Sequence, residues 1–247
     1  MSMRKIVLPL FVAGALFGAD VSHSHPHHWS YSGDTGPAHW GELDPEFFMC
    51  KEGKNQSPVD MNRFVKTKLK KLKATYSGNA RTVVNNGHTI KVETMGRNEV
   101  VVDGIPFNLL QFHFHTPSEN TIEGKHYPME AHFVHKSKDG EVLVVALMFE
   151  EGERNSALDK VVADLSSKIG ESRPLKEMFN PGDLYPRKLK YYRYNGSFTT
   201  PPCTEGVRWI VLKKPVTASK EQLIKMNRLM GDNNRPTQPL NARLILK

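Results

Sequence analysis

The stretch from Gln111 to His135, QFHFHTPSENTIEGKHYPMEAHFVH, restricts the fold of this chain more than any other. Successive side chains of an extended strand point to opposite faces, so His113 and His115 share one face while Phe112 and Phe114 take the other. A second run, Glu130-Ala-His132-Phe-Val134, places His132 on the same face as Glu130 and Val134, and a neighbouring strand can carry it to the first pair. Three neutral imidazoles without a fourth protein ligand describe a catalytic zinc site that keeps one position for water. Taken alone, His-x-His in a strand is more often a half-buried surface pair. The surroundings favour the metal: Gln111 and Glu130 each precede a candidate ligand by two residues, on its face, where they can bind the free ring nitrogen and fix the tautomer.

QFHFHTPSE and EAHFVH do not stand alone. With NQSP at Asn55 to Pro58, NNGH at Asn85 to His88 and YNGSFTTPPCTEGVRWIVL at Tyr194 to Leu212, they closely resemble the α-class carbonic anhydrases. The matches run in the family's order from Trp29 to Arg243. The resemblance implies a β-rich α+β fold, a single domain with a central twisted, mostly antiparallel sheet of about ten strands and a few surface helices. It implies reversible hydration of carbon dioxide at a Zn2+ held by His113, His115 and His132. Thr199 corresponds to the family's gatekeeper threonine, its hydroxyl donating to a buried carboxylate, Glu119. His88 is the implied proton shuttle, suited by an ordinary pKa near 6.5. Tyr31 is implied to reach the active-site water. An apolar wall for carbon dioxide is implied at Val207, Trp209 and Phe198, with Val134, Val144 and Thr200 beside it. Cis bonds are implied at Ser57-Pro58 and Pro201-Pro202. Read without the resemblance, the threonine is turn chemistry, the histidine an exposed turn residue and the wall ordinary core.

Three departures from the family pattern bear on the chemistry. Asn120 stands where many members carry histidine, which puts in doubt the buried bonds linking that position to Glu130 and Tyr194. Residues 136–140 form a short segment, expected to open one rim of the cleft. Phe198 replaces the usual leucine beside the metal.

At the N-terminus, a short basic start is followed by an apolar run, Ile6 to Gly18, of signal-peptide length and too short to span a bilayer. The expected organisation is an export signal over 1–19, a flexible His-rich tail over 20–28 that can bind metal without a defined site, and the catalytic domain over 29–247. Cleavage after Ala19 removes Arg4 and Lys5 and takes the formal charge from +8 to +6. Charged residues of both signs, 24% of the chain, are scattered, and no Arg-rich or aromatic-interleaved stripe occurs, so nucleic acid is not an expected partner. The densest basic run, Lys66 to Lys73, reads as a solvated face. Cys50 and Cys203 are the only cysteines, and an even pair in an exported chain favours a disulfide, which secreted and bacterial members of the resembled family carry at these places.

Patterning alone gives strands over 82–94, 99–114 and 130–149, with turns at Asp103-Gly104 and Asp139-Gly140. Asn155 caps a helix carrying Leu158, Val161, Val162 and Leu165, and Ser219 with Gln222 forms a capping box before a helix that stops at Gly231. A periplasmic or secreted carbonic anhydrase acting on carbon dioxide and bicarbonate follows. A catalytically silent binding module and a zinc esterase are the alternatives. Oligomeric state is left open, a homodimer included.

Overall fold

The computed structural model describes residues 28–247. The export signal and all of the His-rich tail except His28 lie outside the described residues. A sheet of thirteen strands organises the chain, ten of them in one continuous hydrogen-bonded path. Its centre is the antiparallel trio Ile105–His115, Met129–Lys136 and Val142–Glu151. Beyond it the Glu205–Leu212 strand joins in parallel and Tyr191–Ser197 antiparallel. The central trio matches the expected runs, with the turns where Asp103-Gly104 and Asp139-Gly140 predict them.

Both faces of this sheet are covered, so Met129–Lys136 and Val142–Glu151 are buried over most of their length and the latter is a near-continuous apolar run. One face carries the main core, including Phe107, Phe112, Phe114, Phe133, Leu147 and Phe149. Each such ring contributes on the order of 2–3 kcal/mol by leaving water. The other face carries a smaller cluster of Val134, Val144, Ala146, Tyr194, Val207 and Trp209. This second face holds the histidines.

The helices start as their caps predict. Asn155 accepts from Leu158 N at 3.0 Å ahead of Ser156–Ala163, and Ser219 and Gln222 cap Lys220–Met230 reciprocally before Gly231. Leu165 lies beyond the first helix rather than on it. Several strands lie outside the expected runs, Ser172–Phe179 and Lys73–Tyr76 among them. Ser172–Phe179 buries only Leu175 and Phe179, and it sits at the sheet edge where Pro174 is tolerated. Lys73–Tyr76 continues from the basic run. Cis bonds occur at Ser57-Pro58 and Pro201-Pro202, and at Thr116-Pro117, which nothing in the pattern announces.

On the core face opposite the ligands, His135 is wholly buried. Its Nδ1 donates to the Phe133 carbonyl at 2.8 Å, so Nε2 accepts from the Tyr76 hydroxyl at 2.7 Å; that hydroxyl also meets Tyr185 at 2.8 Å. Burial pushes the imidazole down from 6.5 to about 4. Between those values the unfolded chain binds a proton that the folded chain does not, so stability rises with pH across this window. From pH 7 down to 4 this one group should withdraw about 3 kcal/mol. Denaturant unfolding of wild type and His135→Gln at pH 7 and pH 4.5 checks it. The advantage of wild type over the variant should shrink in acid, and a pH-independent difference rules out the assignment.

Candidate metal centre

The register of the two central strands brings the ligands together. His113 pairs directly with His132, and His115 with Glu130. One residue pair along, Val134, Val144 and Trp209 form a row across three strands, next to the row that contains His132 and Ala146. Histidines and apolar wall are therefore adjacent lines of one pleated surface. His113, His115 and His132 present ligand nitrogens that all lie within 4.8 Å of one another.

Each ring is held by its outer nitrogen. His113 Nδ1 donates to Gln111 Oε1 at 2.9 Å and His115 Nδ1 to the Asn233 carbonyl at 2.8 Å. His132 Nε2 lies 3.1 Å from Glu130 Oε1, within ion-pair distance though not aligned as a hydrogen bond. These contacts turn the other nitrogens, Nε2 of His113 and His115 and Nδ1 of His132, toward the common point. His115 Nε2 is buried without any hydrogen-bond partner. Such an atom costs free energy unless something coordinates it. Burial lowers the pKa of all three imidazoles, most strongly at His113 and His132, and so keeps them in the neutral form a cation requires. The donor set and its orphaned nitrogen fit a tetrahedral ion with one open position.

Glu119 lies behind the ligands, fully buried, with Oε1 accepting from Arg235 N at 2.8 Å and Oε2 3.6 Å from His115 Nε2. Burial pushes this carboxyl up to about 8, while the Thr199 hydroxyl and the Arg235 amide favour its charged form. Glu130 is buried too, and Asn120 supports it twice, through Nδ2 at 2.7 Å and its backbone N–H at 2.9 Å. Asn120 Oδ1 in turn accepts from the Tyr194 hydroxyl at 2.9 Å and Val59 N at 3.2 Å. The amide thus donates to one neighbour and accepts from the other, and the doubted link between Glu130 and Tyr194 is continuous.

A cavity of about 230 Å3 opens on the ligands, lined by Gln111, His113, His132, Val134, Val144, Phe198, Thr199, Thr200 and Trp209. Val207 and Trp209 are both buried in one apolar cluster, and of the two Trp209 lines the cavity. Residues 136–140 are a tight turn, closed by Ser137 N to the Glu141 carbonyl at 2.9 Å, and contribute nothing to the lining. His88 lies on the turn after Asn85, its ring stacked on Trp29 at 3.8 Å between centroids. Burial, then the nearby His28, lowers its pKa. Tyr31 packs edge-on against Trp29 and Trp40. Its phenol is raised by burial and by the charge of Glu119, so it feels the site electrostatically.

Two contributors have no signal in the sequence. Asn233 holds His115 with its backbone carbonyl, while its Nδ2 donates to the carbonyls of His88 at 2.9 Å and Phe114 at 3.0 Å. Arg235, 1% exposed, reaches Gln56, Ser57 and Cys50 as well as Glu119. In sequence, Asp232 to Pro236 reads only as polar loop after a helix.

Site and fold together define a candidate metal centre whose three histidines stand on the antiparallel centre of a mixed sheet beside an apolar cleft. Residues 35–247 match the family model described as eukaryotic-type carbonic anhydrase. Among curated relatives, a carbonic anhydrase of Klebsiella pneumoniae is 46% identical over 223 residues, 89% of this chain and 91% of that one. A carbonic anhydrase of Pectobacterium carotovorum is 44% identical over 220 residues, covering 89% and 90%. Among solved structures, the α-carbonic anhydrase of Thermovibrio ammonificans in complex with the inhibitor sulfanilamide aligns with a TM-score of 0.88 at 54% identity, covering 90% of this chain and all of that one. The chain belongs to the α-class, eukaryotic-type, carbonic anhydrase family.

Proposed function

We propose that this protein is a zinc carbonic anhydrase of the periplasm or cell exterior, converting carbon dioxide and water to bicarbonate and a proton. The observation that carries the metal is the convergence of three buried, neutral imidazoles whose ligand nitrogens lie within 4.8 Å of one another, with His115 Nε2 left without a hydrogen-bond partner. Bound zinc supplies a Lewis acid that brings the pKa of water to about 7. The protein supplies the rest. Val134, Val144, Phe198 and Trp209 give apolar carbon dioxide a dry wall against the ligands. Thr199 stands at the cavity close enough to Glu119 to favour its charged form, and donating its hydroxyl to that carboxyl would leave its oxygen to accept from the nucleophile and orient it. Glu130 and Gln111 hold His132 and His113 in place. The described residues contain no helix long and apolar enough to cross a membrane, and the Cys50–Cys203 disulfide suits an oxidising compartment. Zinc analysis of purified protein with a carbon dioxide hydration assay tests the proposal. Stoichiometric zinc without hydration would point to a silent binding module instead.

The excess proton is assigned to His88. His88→Ala should slow turnover by about tenfold or more, within the usual range of a lost acid–base group, while the interconversion step measured at chemical equilibrium persists. Added imidazole should restore part of the loss. Normal turnover with no response to imidazole places the shuttle elsewhere.

Phe198 presents a ring to the small cavity and packs against the apolar cluster. Relief of about 1 kcal/mol of crowding in Phe198→Leu should speed hydration roughly fivefold at unchanged zinc content. Stopped-flow measurement at matched zinc occupancy decides; an equal or slower leucine variant means the ring is accommodated.

A further inference from the structure

The basic run that reads as a solvated face forms one wall of a groove. Residues 67–75 make that wall and residues 187–191 the other, with Lys213 and Lys247 completing the lining of a space of about 990 Å3. Nine cationic side chains line it, and no Asp or Glu does. Outside the groove the chain has 25 of its 34 Lys and Arg against 26 Asp and Glu, so the whole positive excess is gathered here. Among the described residues none of the nine forms an ion pair. Asp103, the acid that Lys70 influences, is already bound by Arg193 at 2.6 Å. Lys213 is lowered by burial and by repulsion from Lys247 and Lys190. A groove between low-dielectric walls focuses such a field.

The backbone beneath is pinned. The Tyr191 hydroxyl donates to the Lys70 carbonyl at 2.8 Å, Thr67 N to the Lys247 carbonyl at 2.9 Å and Lys213 N to the Lys190 carbonyl at 2.9 Å. Leu72 is buried in the main core, with Leu69 and Leu189 packed against it, so the floor is fixed as well. A preorganised groove spends little ordering itself on binding.

The lining also selects among anions. Among the described residues Tyr191 is its one aromatic residue, and that ring is buried in the main core, which leaves no platform for stacking bases. Eight of the nine cations are lysines, compact point charges that bind phosphate oxygens without demanding one bidentate geometry. Cations on two facing walls are met together by a chain lying between them, whereas a flat bilayer meets only the rims. We infer that this groove binds a linear polyphosphate chain, at a surface that shares no lining residue with the metal-site cavity.

The test uses inorganic polyphosphate and the purified, zinc-loaded full chain, with binding followed by calorimetry at 50–300 mM salt. Wild type should bind with an affinity that falls steeply as salt rises. A variant with Lys70, Lys71, Lys188 and Lys190 changed to Gln should bind about tenfold or more weakly, with a shallower salt slope. A charge-matched control with exposed Lys54, Lys125, Lys138 and Lys168 changed to Gln should stay within about threefold of wild type. Because the changed side chains are exposed, melting temperature and hydration activity should be those of wild type in both; the pairs 70/71 and 188/190 are measured separately should the quadruple variant not fold. Equal losses in groove variant and control, or no binding at 150 mM salt, overturn the proposal. So does tighter groove-dependent binding to vesicles of anionic phospholipid than to polyphosphate at equal phosphate.

Discussion

Replacing His132 with alanine should leave a protein that surrenders added zinc to dialysis and hydrates carbon dioxide no faster than a metal-stripped control. The magnitude follows from sharing the apparent binding energy of a tetrahedral zinc site, about 10–16 kcal/mol, among its ligands. Roughly 3 kcal/mol each is a hundred- to a thousandfold in affinity. His132 is the ligand whose loss disturbs most. Its outer nitrogen faces Glu130, a buried carboxylate held by Asn120, and its inner nitrogen lies 3.8 Å from Glu119 Oε2. Removing the ring therefore leaves the buried carboxyl groups of Glu119 and Glu130 facing an empty space, with only two of the three imidazoles remaining. By contrast Glu130→Gln keeps all three ligands and loses only the charge behind one of them, for which a ten- to hundredfold loss in affinity is ordinary. Zinc content after chelator dialysis, measured beside hydration activity, checks both. Full zinc occupancy with normal activity in His132→Ala would remove this histidine from the ligand set.

The gathering of the three histidines was legible because its geometry is local. A period of two fixes which side chains share a face, so His113, His115, Gln111 and the Glu130, His132 pair could be placed from spacing alone. Register between the strands is not local, yet alternating Phe and His leave only one face free for the core, and a slip by one residue would bury the imidazoles among Phe112, Phe114 and Phe133. Asn233 was illegible for the opposite reason. It fixes His115 through a backbone carbonyl, a group every residue possesses, from 118 positions away. Arg235 is similar: two of its partners are the carbonyls of Ser57 and Cys50, 178 and 185 residues distant. Val207, which the resemblance implies beside Trp209 in the wall, shares an apolar cluster with it, and a family pattern does not say which of two neighbouring buried side chains meets the cavity. Asn120 shows how a departure in identity keeps a role, because one amide offers a donor and an acceptor on the same planar group, as the displaced imidazole does.

Loss of the Cys50–Cys203 bond should cost more stability than any other change that leaves the ligands untouched. The bond joins positions 153 residues apart, and closing a loop of that length removes about 5 kcal/mol of chain entropy from the unfolded state. For a chain of this size that corresponds to a fall in melting temperature of about 10–20 °C. The effect on catalysis should be much smaller. Cys203 ends the turn that carries Thr199 and Thr200, and three other contacts hold this neighbourhood: Cys203 N donates to the Thr200 carbonyl at 2.9 Å, Gln56 Nε2 to the Cys203 carbonyl at 3.0 Å and Arg235 to the Cys50 carbonyl at 2.9 Å. Those bonds lie within the folded state and survive reduction, whereas the loop-closure term acts on the unfolded one. Cys50→Ser with Cys203→Ser should therefore melt far below wild type while retaining its zinc, and at 25 °C should hydrate carbon dioxide within a few-fold of it. Thermal unfolding and hydration assays on the two proteins, with wild type also measured after verified reduction, separate the contributions. An unchanged melting temperature would show that the unfolded chain gains nothing from the released loop. A collapse of activity at full zinc occupancy would show instead that the bond, and not its hydrogen-bonded surroundings, holds Thr199 in place.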